Sequence, residues 1–247
     1  MTTPDPDQSG PIKYFAFVKR RAGMPAAEFH DYWEHQHAKH LAETPEISRH
    51  IRRYELHHRI DDGSRERNEV EVDDGGFDGV SILWFDNLEE LHAMAEEPKL
   101  KEWSDADVAK FRDPFVASVV THVGNVIVEP AGGAPEAGMS LICILRHNAA
   151  YTLPDFHEHW LLHHGALFQD IPELHDPLLG YEQNHGVDLP DAQFDGVTQQ
   201  WFESLEAWTK SLEAPAHRDV VEPDVASFLD LESIYFVLGG RPTVMIG

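Results

Sequence analysis

The stretch that decides the fold is Phe-His-Asp-Tyr-Trp-Glu-His-Gln-His at residues 29–37, because a near copy, Phe-His-Glu-His-Trp-Leu-Leu-His-His, stands at residues 156–164. The two copies are 127 residues apart (156 − 29). A second motif, Phe-Asp-Gly-Val at residues 77–80, returns at residues 194–197, at an offset of 117 (194 − 77). Ordered recurrence at nearly constant spacing predicts a tandem duplication.

The change of offset locates the domain boundaries. It places ten additional residues (127 − 117) in the first copy between His58 and Phe77, where a charged, glycine-punctuated sequence is typical of a hairpin loop that tolerates insertions. A run rich in Pro, Gly and Ala separates the copies and is typical of a linker. We therefore expect a flexible tail at 1–11, a first domain at 12–128, a linker at 129–138 and a second domain at 139–247.

Each copy has the pattern of a β-α-β-β-α-β unit. Apolar β-rich runs alternate with helical stripes, such as Phe29, Trp33 and His37 at i, i+4 and i+8. The predicted strands cover residues 12–18, 53–60, 80–85 and 115–128 in the first copy and 139–145, 179–187, 197–202 and 233–237 in the second. This order predicts an α+β fold of two ferredoxin-like repeats. Each sheet has one bare face, so we expect the two sheets to cover each other as an intrachain dimeric α/β-barrel with a hollow interior.

Composition excludes several classes of function. Asp and Glu number 44 and Lys and Arg number 19, which gives a net charge of −25 and repels phosphate backbones and anionic lipid. The lone Cys143 excludes an internal disulfide and any all-thiolate metal site. Neither an apolar run of transmembrane length nor a signal-peptide pattern is present, so we expect a cytoplasmic protein that binds neither nucleic acid nor membrane.

These residues resemble the EthD family of the dimeric α/β-barrel superfamily. The resemblance rests on the Phe-x-x-x-Trp-x-x-x-His helix, on the Phe-Asp-Gly-Val strand that leads to Trp-Phe, and on the repeated pairs Pro45 and Pro172, Tyr54 and Tyr181. It implies a superfamily of isomerases, cyclases, dehydratases, decarboxylases, monooxygenases and haem enzymes, and EthD-type proteins are associated with hydrocarbon, ether and polyketide metabolism. It also implies self-association as a homodimer, although a fused pair already supplies a partner sheet and a monomer is the alternative.

Histidine is the first candidate for catalysis. The chain has 17 histidines, whose ordinary pKa near 6.5 suits proton transfer at neutral pH. His37 and His164 lie on the apolar stripe of the first helix of each copy and are predicted to move a proton. The alternative is that each is a core histidine bonded to a nearby carbonyl.

Strand residues supply the remaining candidates. By alternation, Tyr54 shares a face of the second strand with His58, and Tyr181 shares one with Gln183 and His185. If this face lines the interior, the phenols would polarise a carbonyl and the imidazoles would assist proton transfer; the alternative is a tyrosine that anchors the sheet beside an exposed histidine. The predicted substrate-binding residues are Gln183 on the second strand and, on the third strand, Trp84, Trp201, Gln199 and Ile82. Many relatives have a carboxylate where this chain has Ile82 and Gln199.

No metal or cofactor is predicted. The histidines at 35, 37 and 40, and at 157 and 159, have partial ligand spacing but lack an evident third ligand, so we interpret them as solvated helix residues. Nucleotide-binding and nucleophile-elbow motifs do not occur in the sequence.

The favoured function is a cofactor-independent lyase or isomerase, of the dehydratase, decarboxylase or cyclase type. Its substrate would be a small, apolar aromatic or polyketide-like carbonyl compound, and proton transfer by histidine would be the chemical step. The alternative is a non-catalytic protein that binds a hydrophobic metabolite. Copy two, with the more polar strands, is the favoured location of the active site.

Overall fold

The computed structural model describes residues 10–60, 76–130 and 138–247. Within them the chain forms two antiparallel five-stranded sheets, each covered on one face by helices. The α+β architecture of two ferredoxin-like repeats is therefore confirmed.

The first repeat begins with strand β1 (Ile12–Arg20) and a nearly continuous helical segment made of α1 (Ala26–Tyr32), a π-helical turn (Trp33–Ala38), α2 (Lys39–Glu43) and α3 (Pro45–Ser48). It continues with β2 (Arg53–His58), β3 (Gly79–Phe85), α4 (Leu88–Glu96), α5 (Pro98–Phe111) and β4 (Arg112–His122). A short strand, β5 (Asn125–Val128), follows.

The second repeat has the same order. It consists of β6 (Met139–Leu145), α6 (Leu153–His159), a π-helical turn (Trp160–His164), α7 (Gly165–Asp170), α8 (Pro172–His175), β7 (Leu178–His185), β8 (Gly196–Phe202), α9 (Leu205–Leu212), a third π-helical turn (His217–Val221) and α10 (Glu222–Phe228). A 3-10 turn (Leu231–Ser233), β9 (Tyr235–Gly239) and β10 (Thr243–Ile246) end the described chain.

The repeats exchange their last strands. The sheet orders are β10-β2-β3-β1-β4 and β5-β7-β8-β6-β9, so β5 completes the second sheet and β10 completes the first. The single strand predicted at 115–128 is thus two strands in two different sheets. Because each sheet is completed by a strand from the other repeat, the two halves are joined by backbone hydrogen bonds as well as by side chains.

The repeated Trp and Gly of the two sequence motifs are in contact in both halves. A Cβ atom on Gly196 would lie 2.6 Å from Cζ3 of Trp160, and the ring of Trp33 would collide with one on Gly79 in the same way. Glycine is required at both positions because the indole packs directly on the strand backbone. This contact fixes the helix against the sheet in each repeat and explains why the two motifs recur together.

The space between the two sheets is occupied by side chains. An apolar cluster from both sheets fills it, including Phe15, Phe17, Ile82, Ile142 and Val237, all of them fully or almost fully buried. Beside this cluster, Lys13 of β1 forms an ion pair with Glu182 of β7 and donates a hydrogen bond of 2.9 Å to Oδ1 of Asn184. The sheets do face each other as predicted, but the described residues make their interface a packed core, and the expectation of a hollow interior there is wrong. Large side chains from both faces meet and exclude the space.

Candidate active site

A histidine and an aspartate form a hydrogen-bonded pair in the helical layer of the first repeat. Nδ1 of His37, in the π-helical turn, lies 2.9 Å from Oδ2 of Asp107 on α5. The other carboxylate oxygen accepts a hydrogen bond of 2.7 Å from the Tyr32 hydroxyl. The His37 ring stacks on Trp103 and contacts Phe111. Packing and hydrogen bonding therefore fix both the position and the orientation of the imidazole.

The second repeat contains the same pair. Nδ1 of His164 lies 2.8 Å from Oδ2 of Asp224 on α10, and the His164 ring contacts Phe168 and Phe228. The second carboxylate oxygen is bound here by Nε2 of His159, at 2.8 Å. We call the two arrangements, His37 with Asp107 and His164 with Asp224, the first and second dyads. They occupy equivalent positions in repeats that differ at many other residues.

Both dyad histidines lie in π-helical turns. Trp33–Ala38 and Trp160–His164 interrupt the first long helix of each repeat at the same place. A π-helical turn costs stability relative to a regular α-helix and is frequently found at functional sites. The first π-helical turn of each repeat therefore places the dyad histidine at an equivalent position.

Burial and hydrogen bonding act in opposite directions on the first dyad. Burial lowers the pKa of His37 below its ordinary value and is only partly opposed by Asp107; the nearby charge of Arg112 lowers it further. Burial alone would raise the pKa of Asp107, but hydrogen bonds from His37 and Tyr32 outweigh it and hold that pKa below its usual range. At neutral pH the first dyad is therefore a neutral imidazole beside an ionised carboxylate.

The unbonded nitrogen of each dyad can act as a base. Since Nδ1 faces an ionised carboxylate, it holds the ring proton, and Nε2 keeps its lone pair. Among the described residues neither Nε2 atom has a hydrogen-bond partner. This is the tautomer and orientation required of a general base.

The strand tyrosines lie in a different place from the one expected. Tyr54 and Tyr181 point toward the helices, not toward the other sheet, and both are buried in the cores beneath those helices. The Tyr54 hydroxyl lies 3.5 Å from Ser81, and the Tyr181 hydroxyl accepts a hydrogen bond of 3.0 Å from Gln183. Gln183 also donates to the backbone oxygen of Trp160, so its amide is occupied within the core.

His58 and His185 lie on the same helix-facing side, away from both dyads. His58 is 2.9 Å from Glu34 and His185 is 3.2 Å from Gln183. Burial is the main reason that the pKa of His58 is lowered to about 4, and the neighbouring His30 is the second reason. For His185, burial and then the neighbouring His157 lower the pKa to about 3. Both rings pack against the motif tryptophans and are neutral at physiological pH.

The third-strand residues do face the other sheet, as their alternation predicts. Ile82 is completely buried in the core between the sheets, and Gln199 stands opposite Glu182 in the register of β7 and β8. Trp84 is half-buried there, with the ammonium group of Lys13 5.5 Å from its ring centre, and Trp201 pairs with Ser140. The structure does not bring these four residues together with either dyad.

A cleft of about 460 Å³ lies on the helix side of the first sheet, and both repeats contribute to it. Its lining includes Tyr14, Val116, Ser118 and His92 of the first repeat and Val187 with residues 189–193 of the second. Most of the lining residues are aliphatic, and hydroxyl, imidazole, amide and carboxylate side chains make up the rest.

Within residues 10–60, 76–130 and 138–247, no group of three or more His, Cys, Asp or Glu side chains is placed to hold a metal ion. The helices in these ranges are also too short or too polar to cross a membrane.

The sequence was compared with models of protein families. The model described as the EthD domain matches it twice, at residues 21–114 and 149–232, which together exceed half of its length. The chain belongs to the EthD family. Each dyad lies within one EthD match, so the duplication of the domain accounts for the duplication of the dyad. The comparison with curated proteins gave no significant match.

Solved structures share the fold of this tandem EthD protein. An anthrone oxidase-like protein is 11% identical, aligns over 99% of this chain and 96% of that chain, and has a TM-score of 0.68. A mutant chlorite dismutase from Candidatus Nitrospira defluvii is 12% identical over 94% and 92% of the two chains, with a TM-score of 0.52. An EthD family protein from Bacillus halodurans is 16% identical over 41% of this chain and 96% of that chain, with a TM-score of 0.34. At identities this low, the first two likenesses show the fold alone.

The aspartates of the EthD dyads are the residues that sequence reasoning missed. Asp107 and Asp224 keep the 117-residue offset (224 − 107) within the repeated Asp-Val-Ala segment, so their recurrence was visible. The missing signal was their contact with the helix histidines, since 70 residues separate His37 from Asp107 in the chain. The third strand has Ile82 and Gln199 where many relatives have a carboxylate, and the carboxylate that meets each dyad histidine comes from α5 in the first repeat and α10 in the second.

Proposed function

We propose that the protein is a cofactor-independent lyase or isomerase that moves a proton on a small, apolar aromatic or polyketide-like carbonyl compound. His37 and His164 act as general bases, each oriented by its aspartate. The observation that supports this most strongly is the dyad itself, which occurs in both repeats with a carboxylate on Nδ1 and an unbonded Nε2.

The dyad argues against a purely structural histidine. A core histidine that only fixes a helix end would be expected to bond a backbone carbonyl, as His30 and His157 do with the carbonyl oxygens of Asp78 and Asp195. His37 and His164 bond carboxylates instead. His50 and His147 also bond carboxylates through Nδ1, but among the described residues only the two dyads recur at equivalent positions of both repeats. A buried carboxylate is costly unless it is needed, and beside an imidazole it stabilises the charge that forms when the ring takes up a proton.

The chemical step follows from this geometry. Nε2 takes a proton from a carbon next to the carbonyl, the electron pair of the C–H bond moves into an enolate, and the aspartate stabilises the new imidazolium. If the enolate is conjugated with a neighbouring double bond, the imidazolium returns the proton to the far carbon of that system, which is isomerisation. If the β-carbon has a leaving group, that group departs with its bonding electrons and takes the proton from the imidazolium, which is elimination. A positioned general base of this kind contributes roughly 10²- to 10⁴-fold to the rate.

The substrate class is argued from charge and lining. A net charge of −25 repels anions at the encounter stage, so a neutral compound is favoured. Aromatic rings pack against both dyad histidines, and a cleft of about 460 Å³ with mostly aliphatic lining residues lies on the helix side of the first sheet. These features suit a small ring system with one carbonyl group.

The test is hydrogen–deuterium exchange at the acidic C–H of aromatic ketones, with anthrone and 2-tetralone as probes, followed by NMR in D₂O. The native protein should accelerate exchange, and the double variant His37→Gln with His164→Gln should lose at least about 100-fold. His35→Gln is the matched control, because His35 is an exposed helix histidine outside the dyads. It should leave the rate unchanged.

Binding is measured in parallel by tryptophan fluorescence quenching. If the probes bind equally to all variants and exchange does not depend on His37 or His164, the proton-transfer assignment fails. If they bind and the native protein does not accelerate exchange, the non-catalytic binding function is supported instead.

A further inference from the structure

The two dyads differ at the second partner of the aspartate. In the first repeat Tyr32 donates its hydroxyl proton to Asp107 at 2.7 Å. At the equivalent position of the second repeat stands His159, whose Nε2 lies 2.8 Å from Asp224. Asp224 is therefore held between two imidazoles. Asp107 is held between an imidazole and a phenol, and the ammonium group of Lys110 lies 3.5 Å from the oxygen that the phenol binds.

The two repeats also differ at a residue between the dyad and solvent. The His159 ring is about one-fifth exposed and lies 5.1 Å, centre to centre, from the exposed ring of His163. The residue equivalent to His163 in the first repeat is Gln36. Both substitutions thus place an imidazole in the second repeat where the first has a group that does not titrate near neutral pH.

From this geometry we infer that His159 is a positioning residue that makes the base His164 responsive to pH through their shared carboxylate, Asp224. When His159 is neutral, the negative charge of Asp224 supports the imidazolium that His164 forms during catalysis. When His159 is protonated, it pairs with Asp224, and His164 is a weaker base. This inference rests on the proposed function for its catalytic consequence, but its electrostatic content can be measured without any substrate.

Several polar and charged groups face His159 and His164. His159 faces Asp224 on α10, His163 on the adjacent π-helical turn, and the Tyr151 hydroxyl at 3.4 Å from Nδ1. His164 faces Asp224 and lies near enough to His217 for their charges to interact, and His217 is itself paired with Glu222. In the first repeat His37 and Tyr32 both pack against Phe111. In the second repeat His164 and His159 both pack against Phe228, so the two dyads have the same aromatic surroundings.

The first dyad should behave differently. The Tyr32 hydroxyl remains protonated throughout the physiological pH range. Burial, and to a smaller extent the hydrogen bond to Asp107, raise its pKa above the ordinary value. The charge on Asp107 is then constant, and His37 works as a base with one fixed strength. The two repeats would thus supply one pH-independent and one pH-dependent dyad.

The experiment is an NMR titration of ¹⁵N-histidine-labelled full-length protein, with reciprocal exchange of the two residues. In the native protein the titration of His164 should be linked to that of His159 and extend over two steps. In His159→Tyr it should collapse to a single step with a midpoint about one pH unit higher. In Tyr32→His the titration of His37 should change in the opposite sense.

Controls separate this inference from a folding defect and from the proposed function. His159→Gln keeps a neutral hydrogen-bond donor and should give the same single step, which protects the conclusion if His159→Tyr unfolds. Superimposable His164 curves in the native protein and in either variant would overturn the inference. If the ketone exchange assay fails while the titrations behave as expected, only the proposed function is lost.

Discussion

Replacing Lys13 with Met should destabilise the protein by about 3–5 kcal/mol, the range found when one partner of a buried ion pair is removed. The side chain of Lys13 is only 5% exposed and that of Glu182, its partner on the other sheet, is 19% exposed. Without Lys13, the Glu182 carboxylate would remain in the packed space between the sheets with no opposite charge. For a chain of this length, 1 kcal/mol corresponds to about 2–4 °C in the melting temperature, so a fall of at least 6 °C is expected.

The assay is urea unfolding of four proteins: the native chain, Lys13→Met, Glu182→Gln and the double variant. If the pair bridges the two sheets, the double variant should be more stable than the sum of the single effects predicts, with a coupling of about 2 kcal/mol or more. The slope of the free energy against urea should not change. Lys39→Met is the control, because Lys39 and Glu43 form an exposed pair at 3.9 Å, and it should cost less than about 0.5 kcal/mol.

Additive single effects, or a Lys13→Met protein as stable as the Lys39→Met control, would refute the reasoning. Either result would mean that Lys13 and Glu182 do not meet between the sheets. The face-to-face docking of the two repeats would then need another explanation.

Three other predictions concern the fold. Gly196→Ala should cost about 2 kcal/mol or more in urea unfolding, since its Cβ would overlap the Trp160 ring, whereas Gly10→Ala, which meets nothing within 4 Å, should be neutral. The free energy of unfolding should fall by up to about 4 kcal/mol between pH 7 and pH 5. The reason is that His58 and His185 have lowered pKa values in the folded protein, so the unfolded chain binds protons first as the pH drops below about 6.5. A free energy of unfolding that does not change over this range would contradict the burial of these rings. Deleting residues 243–247 should speed amide exchange in β2, which β10 covers, and unchanged protection there would argue against strand exchange.

The duplication and the repeat architecture could be predicted because they are written in residue spacing. The Phe-Asp-Gly-Val glycines are the clearest case, since the same two segments recur together and prove to touch through Trp160 and Gly196. Local periodicity was likewise enough to place most strands and helices.

The direction of each strand face could not be predicted from alternation alone. Alternation correctly put Tyr54 and His58 on one face and Ile82 on another, but it does not say which face the helices cover. The exchange of β5 and β10 was equally invisible, because a four-residue strand pairs with whichever sheet edge the tertiary structure presents. The prediction of a hollow interior was wrong for the same reason, because the packing between two sheets depends on which side chains meet there.

The sequence predicted the histidines of the candidate site but not the aspartates that bind them. His37 and His164 stood out through their recurrence and their place on the apolar stripe. Their aspartates recur as well, but residue spacing gave no indication that α5 and α10 bring them within 3 Å of the rings. Such a contact belongs to helix packing and is set by residues far apart in the chain.

The most direct test of the central claim is the tautomer of His37 and His164 at pH 7.5, measured by long-range ¹H–¹⁵N correlation on histidine-labelled protein. If a carboxylate orients each ring, both should be protonated at Nδ1 and unprotonated at Nε2, and Asp107→Asn and Asp224→Asn should each abolish that preference in their own repeat only. Rings protonated at Nε2 in the native protein, or tautomers unaffected by the loss of the aspartates, would contradict the account.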